Sequence, residues 1–113
     1  QALSAHPLQS ALFETHVVQD MLRQMCLMNM PPRVYQWRSH GGAEVDLILE
    51  RDGMFVPIEI KSKAHITAAD ARGIRAFRKT YPNIRQATGC VVASVEEVFE
   101  LPDKVVVLPY DIQ

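Results

Sequence analysis

The sequence predicts a single α/β domain over residues 1–113, with the element order αβββαβ, an extra C-terminal strand and a mixed sheet flanked by helices. Three observations support this prediction. A helix-periodic segment comes first, three strand-like segments follow with an Asp-Gly turn between the last two, and an amphipathic segment precedes two more apolar strand segments. The 113 residues, 48% of them hydrophobic, are enough for one globular core.

The first helix is predicted over residues 8–28, where apolar residues recur on one side at 100° per residue. Glu14 lies in the middle of that apolar side. A buried carboxylate there needs a partner, a proton or a cation, because an unpaired buried charge is costly. The alternative is a glutamate near the helix start that reaches toward solvent.

The remaining elements follow from turn residues and from the period of the apolar positions. Thr67 and Asp70 resemble a capping box that opens the second helix, and "YPN" closes it. A short acidic turn or helix is expected over 95–100. The predicted strands are 33–39, 44–50, 54–62, 86–94 and 104–110, and the second predicted helix is 68–80.

Asp52-Gly53 predicts a two-residue type I′ turn, which fixes the register of the hairpin so that Asp46 faces Glu59. Pro57 lacks an N–H and should interrupt pairing on the other side of its strand. In this register one face is wholly apolar and the other carries the charges. The apolar face is Val45, Leu47, Leu49, Val56, Ile58 and Ile60; the charged face includes Glu44, Asp46, Glu50, Glu59 and Lys61.

Two carboxylates directly opposite each other repel, so Asp46 and Glu59 need something that offsets the repulsion. A hard divalent cation does so, since carboxylate oxygens and a backbone carbonyl can supply part of its coordination. Lys61 points to the same face and can hold a water beside the cation. This is the chemistry of metal-assisted phosphodiester hydrolysis. The alternative is a solvated sheet face with a Glu44–Lys61 ion pair and no ligand.

Glu14 on a first helix, Asp46 on a second strand and "EIK" at residues 59–61 on a third resemble the PD-(D/E)XK nuclease superfamily. The resemblance implies a restriction-endonuclease-like fold. It also implies that Asp46, Glu59 and Glu14 bind Mg²⁺ or Mn²⁺ and that Lys61 serves the attacking water. All four would then be catalytic residues of a nuclease.

More narrowly, "LFETHVVQDMLRQ", "YQWRSHGGAEVDLILERDG", "PIEIKS" and "DARGIRAFRKTYP" resemble the C-terminal domain of unknown function of bacterial and archaeal AAA+ superfamily ATPases. This resemblance covers nearly the whole chain. It implies an N-terminal ATPase domain of the same polypeptide as a partner, because no Walker motif occurs here. The second helix also lacks the QxxxY motif of one nuclease branch, so the substrate contacts of that branch are not transferred.

Nucleic acid, DNA in particular, is the expected partner. Arg72, Arg75, Arg78 and Lys79 gather on one side of the second helix, and Arg72, Arg75 and Lys79 are the candidate phosphate contacts. A solvated helix face is the commoner interpretation of such a cluster and is favoured here, since the net charge is −1. No apolar run is long enough to span a bilayer and no signal segment is present, which predicts a cytoplasmic protein with no membrane partner.

Two readings without catalysis compete with the nuclease. One is a catalytically silent regulatory or interaction domain of the ATPase, which keeps the fold and the residues. The other is a structural dimerisation module, so a homo-oligomer is left open.

Overall fold

The computed structural model describes residues 31–110, and within them the chain forms a mixed seven-stranded sheet with one α-helix. The predicted α/β class is confirmed. The predicted helix over 8–28, with Glu14, lies outside the described residues. The strands are β1 Arg33–Arg38, β2 Glu44–Arg51, β3 Met54–Lys61, β4 Arg85–Gln86, β5 Gly89–Ala93, β6 Phe99–Leu101 and β7 Val105–Pro109, and the helix α1 is Arg72–Thr80.

The strand order is β1-β2-β3-β5-β7-β6, with β4 also paired to β3. The strands β1, β2 and β3 are antiparallel, whereas β3, β5 and β7 are parallel and β6 returns antiparallel to β7. The turn between β2 and β3 has Asp52 at φ 54° and Gly53 at φ 79°. Both positive values agree with the predicted type I′ turn.

A β-bulge in β2 overturns one part of the predicted face assignment. Tyr35 pairs with Ile48 and Trp37 with Val45, so two residues of β2 lie opposite Gln36 alone. The extra residue inverts the alternation of side chains beyond it. Val45 therefore packs with Ile48 and Phe77 on the α1 side of the sheet, and its predicted place beside Leu47 is wrong.

Pro57 divides the predicted strand over 86–94 into two strands. The strand β4 pairs with Met54 and Phe55, while β5 begins its pairing with β3 at Ile58. The gap falls at residues 56 and 57, where Pro57 has no N–H to donate. The expected interruption on this side of β3 is confirmed.

The helix α1 begins after a 3₁₀ turn, Ala68–Ala71, that belongs to the predicted helix over 68–80. The capping box is present, and the Thr67 N–H donates to Asp70 Oδ2 at 2.9 Å. Near the other end of α1, the Arg78 guanidinium donates to the carbonyls of Asp103 and Lys104 in the β6–β7 turn. Arg78 therefore joins α1 to the edge of the sheet that β6 and β7 form.

The acidic turn or helix expected over 95–100 is wrong at its end, because Phe99 begins strand β6. Phe99 pairs with Val107 and Leu101 with Val105. This pairing forms a short hairpin through residues 102–104, and it overrides the acidic composition of 95–100. Within residues 31–110, no helix is long and apolar enough to cross a bilayer.

The core lies on both faces of the sheet. On the α1 side, Ile74 packs among Val91, Val105 and Val107, all almost fully buried. On the opposite side, Leu47, Ile58, Ile60 and Val92 form a separate cluster. The first turn of α1 is therefore held against the ends of β2 and β3, where the predicted site residues lie.

Candidate functional site

Two of the predicted site residues, Glu59 and Lys61, line one cavity under the first turn of α1, whereas Asp46 lines a second cavity that shares Glu44 with the first. Asp46 lies on β2, and Glu59 and Lys61 lie on β3. The Lys61 charge acts on both carboxylates, and the Asp46 charge acts on Glu59, so the three groups are close neighbours. Glu14, the fourth predicted member, lies outside the described residues.

Glu59 is the most buried of these groups, with 5% of its surface exposed. It faces the first turn of α1, where the backbone N–H groups of Gly73 and Ile74 act to lower the pKa of its carboxyl group. The approach is close because Gly73 has no side chain. A Cβ there would lie 2.1 Å from Glu44 O and 3.0 Å from Glu59 Oε1. Glycine is therefore required for α1 to sit this close to the sheet.

Burial raises the pKa of Glu59 to about 7, from an ordinary value of 4.5. The Asp46 charge adds to this rise, whereas Lys61 and the two backbone N–H groups oppose it. The second oxygen, Oε2, is buried and has no hydrogen-bond partner. A buried carboxylate oxygen in this state calls for a proton or a cation.

Asp46 is held by the backbone of β3. Its Oδ2 accepts a hydrogen bond from the Ile60 N–H at 2.8 Å. Burial raises the pKa of Asp46, and the Ile60 hydrogen bond and Lys61 oppose that rise. The β2–β3 ladder continues as predicted only to Leu47 and Ile58.

The paired ladder therefore ends before Asp46 and Glu59, although its register is the predicted one, and the cross-strand pair of these two residues stays a prediction. In a regular register, the Ile60 N–H would donate to the backbone of Val45. The bulge disturbs that position, and the Asp46 side chain takes the donor instead. The Asp46 charge nevertheless acts on Glu59 and helps to raise its pKa.

A polar cavity of about 240 Å³ opens beside Glu59. Two of its acidic residues are already neutralised. Glu44 Oε2 accepts from Arg38 Nε at 3.0 Å, in place of the alternative pairing with Lys61, and Asp70 Oδ1 lies 2.7 Å from Lys63 Nζ. The cavity is lined by Gly42, Ala43, Glu44, Glu59, Lys61, Ala69, Asp70, Arg72 and Gly73.

A complete metal site is not present within residues 31–110, where no three or more His, Cys, Asp or Glu side chains are grouped to hold an ion. Asp46 and Glu59 alone supply two carboxylates. They have the oxygen donors that Mg²⁺ and Mn²⁺ prefer, and Glu59 Oε2 still needs a partner. The described residues thus fit part of a hard-cation site.

The three predicted phosphate contacts have different surroundings. Arg72 is exposed and lines the cavity. Arg75 Nη1 donates to Ala68 O at 2.6 Å and so closes the 3₁₀ turn. Lys79 is exposed, two turns farther along α1 than Arg72.

Two residues of the site were not predicted. Gly73 decides how close α1 comes, and a glycine inside a predicted helix was the available signal. Asp70 was assigned to the cap alone, but it also lines the cavity and binds Lys63. Lys63 and the Thr67 N–H hold the pKa of Asp70 below its usual value, although burial acts to raise it.

Comparison with known proteins shows the family. A family model described as "Domain of unknown function (DUF4143)" matches residues 9–112. The chain belongs to the DUF4143 family. The expected membership in a family of unknown function is confirmed. The attachment of this DUF4143 domain to an ATPase and its nuclease activity stay predictions.

The DUF4143 domain is also similar to uncharacterized proteins of Mycobacterium bovis and Mycobacterium tuberculosis. It is 30% identical to each over 110 residues. These residues are 97% of this chain but 23% of each relative, so the domain spans about a quarter of the length of these proteins. No solved structure matches the chain.

Proposed function

We propose that the chain is a metal-dependent nuclease that hydrolyses nucleic-acid phosphodiesters, DNA in particular. Its catalytic residues are Asp46, Glu59 and Lys61. One observation carries this proposal: the buried Oε2 of Glu59 has no hydrogen-bond partner. Glu59 lines the same cavity as Lys61, and the Asp46 charge acts on it. Two carboxylates, one of them with an oxygen that lacks a hydrogen-bond partner, and a lysine ammonium are typical of a site for a divalent cation and a phosphate. A solvated sheet face would leave no buried oxygen without a partner.

The proposed cation is Mg²⁺ or Mn²⁺, held by Asp46 and Glu59, with Glu14 as the third carboxylate. When bound, such an ion supplies Lewis-acid stabilisation of the phosphoryl oxygens. The protein's own contribution is to fix the ligands before binding. The Ile60 N–H fixes Asp46, and the first turn of α1 fixes Glu59.

Lys61 has a separate role in the proposed reaction. Lys61 lines the cavity beside Glu59 and its charge acts on both carboxylates, so its ammonium is suited to donate a hydrogen bond to the attacking water and orient it. It also offsets the negative charge that develops on the phosphate. Lys61 is not needed to hold the cation, since its charge competes with the cation for the same carboxylates.

The proposal extends to membership in the PD-(D/E)XK superfamily, with a restriction-endonuclease-like fold, and to an ATPase domain preceding this one in a cytoplasmic polypeptide. Three antiparallel strands followed by a helix and a parallel strand support the fold. The small fraction of each mycobacterial relative that this chain spans is in keeping with further domains in such proteins.

Replacing Lys61 by alanine should abolish metal-dependent cleavage and leave metal binding largely intact, because both carboxylates remain. Asp46→Asn should remove cleavage and metal binding together. Loss of a positioned charge or proton-transfer group costs about 10²-fold or more in rate. The measurement is the cleavage rate of labelled duplex, single-stranded and branched DNA, and of RNA, with Mg²⁺ or Mn²⁺.

The matched control is Asp52→Asn, which makes the same chemical change in the exposed hairpin turn. It should cleave like the parent. Cleavage that survives both Lys61→Ala and Asp46→Asn would contradict the proposal. A parent that cuts none of the substrates would favour the silent regulatory domain instead.

A further inference from the structure

The cavity beside Glu59 carries an excess of positive charge once its internal ion pairs are counted. Arg38 neutralises Glu44 and Lys63 neutralises Asp70. Lys61 and Arg72 then remain on the cavity wall against the single carboxylate of Glu59. Such a balance favours an anion in the cavity.

The positive end of α1 does not supply this anion site, because the N–H groups of Gly73 and Ile74 already serve Glu59. An anion must therefore be held by side chains. Within residues 31–110, the Arg72 guanidinium makes no hydrogen bond or ion pair, and Arg72 is exposed at the start of α1. Its planar fork of donors matches the oxygens of a phosphate group.

The buried Oε2 of Glu59 is the independent sign that the cavity takes a ligand. A cation held by Glu59 would make the cavity more positive and would further favour a phosphate beside Lys61 and Arg72. Arg75 already donates a hydrogen bond to Ala68 O, and Lys79 does not line the cavity. Neither residue is therefore placed to bind a phosphate there.

We propose that Arg72 and Lys61 form a phosphate subsite in this cavity, in which Arg72 binds the non-bridging oxygens of the substrate phosphate. Arg72 is thereby singled out from Arg75 and Lys79 as the residue that touches the reacting group. The inference rests on the proposed function at the same site, for which it names a further catalytic residue.

The first test is a titration of the full chain with inorganic phosphate, followed by backbone amide chemical shifts. Phosphate should shift the amides of Gly42 and Gly73 at the cavity wall. Arg72→Gln should weaken binding by about tenfold or more, because a charge-assisted pair is lost. Arg72→Lys should restore part of it. Arg85→Gln, at an exposed position on β4 near the opposite end of β3, should bind like the parent.

The second test is the kcat of cleavage with Mn²⁺, which Arg72→Gln should lower by about 10²-fold, with Arg85→Gln unchanged. Phosphate binding that depends on Arg72, in a parent that cleaves nothing, would uphold the subsite and refute the nuclease. Cleavage that is equal in Arg72→Gln and Arg85→Gln would uphold the nuclease and overturn the subsite. Phosphate that leaves the cavity amides unshifted, or binds equally to Arg72→Gln, would also overturn it.

Discussion

The metal-free domain is expected to lose about 2 to 3 kcal/mol of stability as the pH rises from 5 to 8, because Glu59 must ionise inside the fold. Its pKa is about 7 in the folded chain, against an ordinary value of 4.5. Below pH 4.5 the carboxyl is protonated in both folded and unfolded states, and no cost arises. Above pH 7 it is ionised in both states, and the full cost of the buried charge is present.

Two other acidic groups do not cancel this slope. The pKa of Asp46 is raised by burial, so its contribution has the same sign. The pKa of Asp70 lies below 3.8, so its stabilising effect is lost only below the tested range. The measurement is the free energy of unfolding by urea, with a chelator present, at each pH.

Glu59→Gln should flatten the slope between pH 5 and 8, since the titrating group is gone, and at pH 8 it should be more stable than the metal-free parent. Glu100→Gln, an exposed position on β6, is the matched control and should keep the slope. Millimolar Mg²⁺ should recover stability in the parent at pH 8, because a ligand that binds only the folded state stabilises it. A parent whose stability does not change with pH would contradict the buried, ionisable Glu59.

Gly73→Ala should destabilise the domain by about 1 to 3 kcal/mol, the usual range for overpacking. The new Cβ would lie 2.1 Å from Glu44 O, which is backbone and cannot turn aside as a flexible side chain would. Helix propensity acts the other way, since alanine is favoured over glycine by about 1 kcal/mol within a helix. The steric effect should prevail, and α1 should move away from Glu59.

Urea unfolding measures the stability of Gly73→Ala, and the Glu59 pKa, followed by NMR, reports whether α1 has moved. Thr80→Ala, at the exposed C-terminal end of α1, raises helix propensity without a contact to the sheet; it also loses the hydrogen bond that Thr80 Oγ1 donates to Ala76 O, and it should be close to neutral. A Gly73→Ala variant as stable as the parent, with an unchanged Glu59 pKa, would rule out the close approach of α1 to β2.

The hairpin that carries the site could be predicted because its signals are local. Asp52-Gly53 fixes the turn, the turn fixes the register down to Leu47 and Ile58, and a period of two puts Glu59 and Lys61 on one face. Pro57 likewise predicted a gap in pairing through its missing N–H. In each case the cause and its effect lie within a few residues of each other.

The remaining features depend on strand and helix contacts that the composition of each segment does not specify. The bulge opposite Gln36 moves Val45 to the α1 side, and the composition of β2 contains no sign of it. Strand β6 forms because it pairs antiparallel with β7, although its own sequence is typical of an acidic turn. Glu59 lies against Gly73 because of where α1 packs on the sheet. The periodicity of apolar residues predicts a helix but does not predict its position over a sheet.

The metal site is tested most directly by calorimetric titration of the full chain with Mn²⁺ at pH 8, where Glu59 is ionised. The proposed site predicts saturable binding in the parent and in Lys61→Ala, and its loss in Asp46→Asn and Glu59→Gln, with Asp52→Asn binding like the parent. No binding by the parent, or equal binding by the parent and Asp46→Asn, would contradict the metal site formed by Asp46 and Glu59.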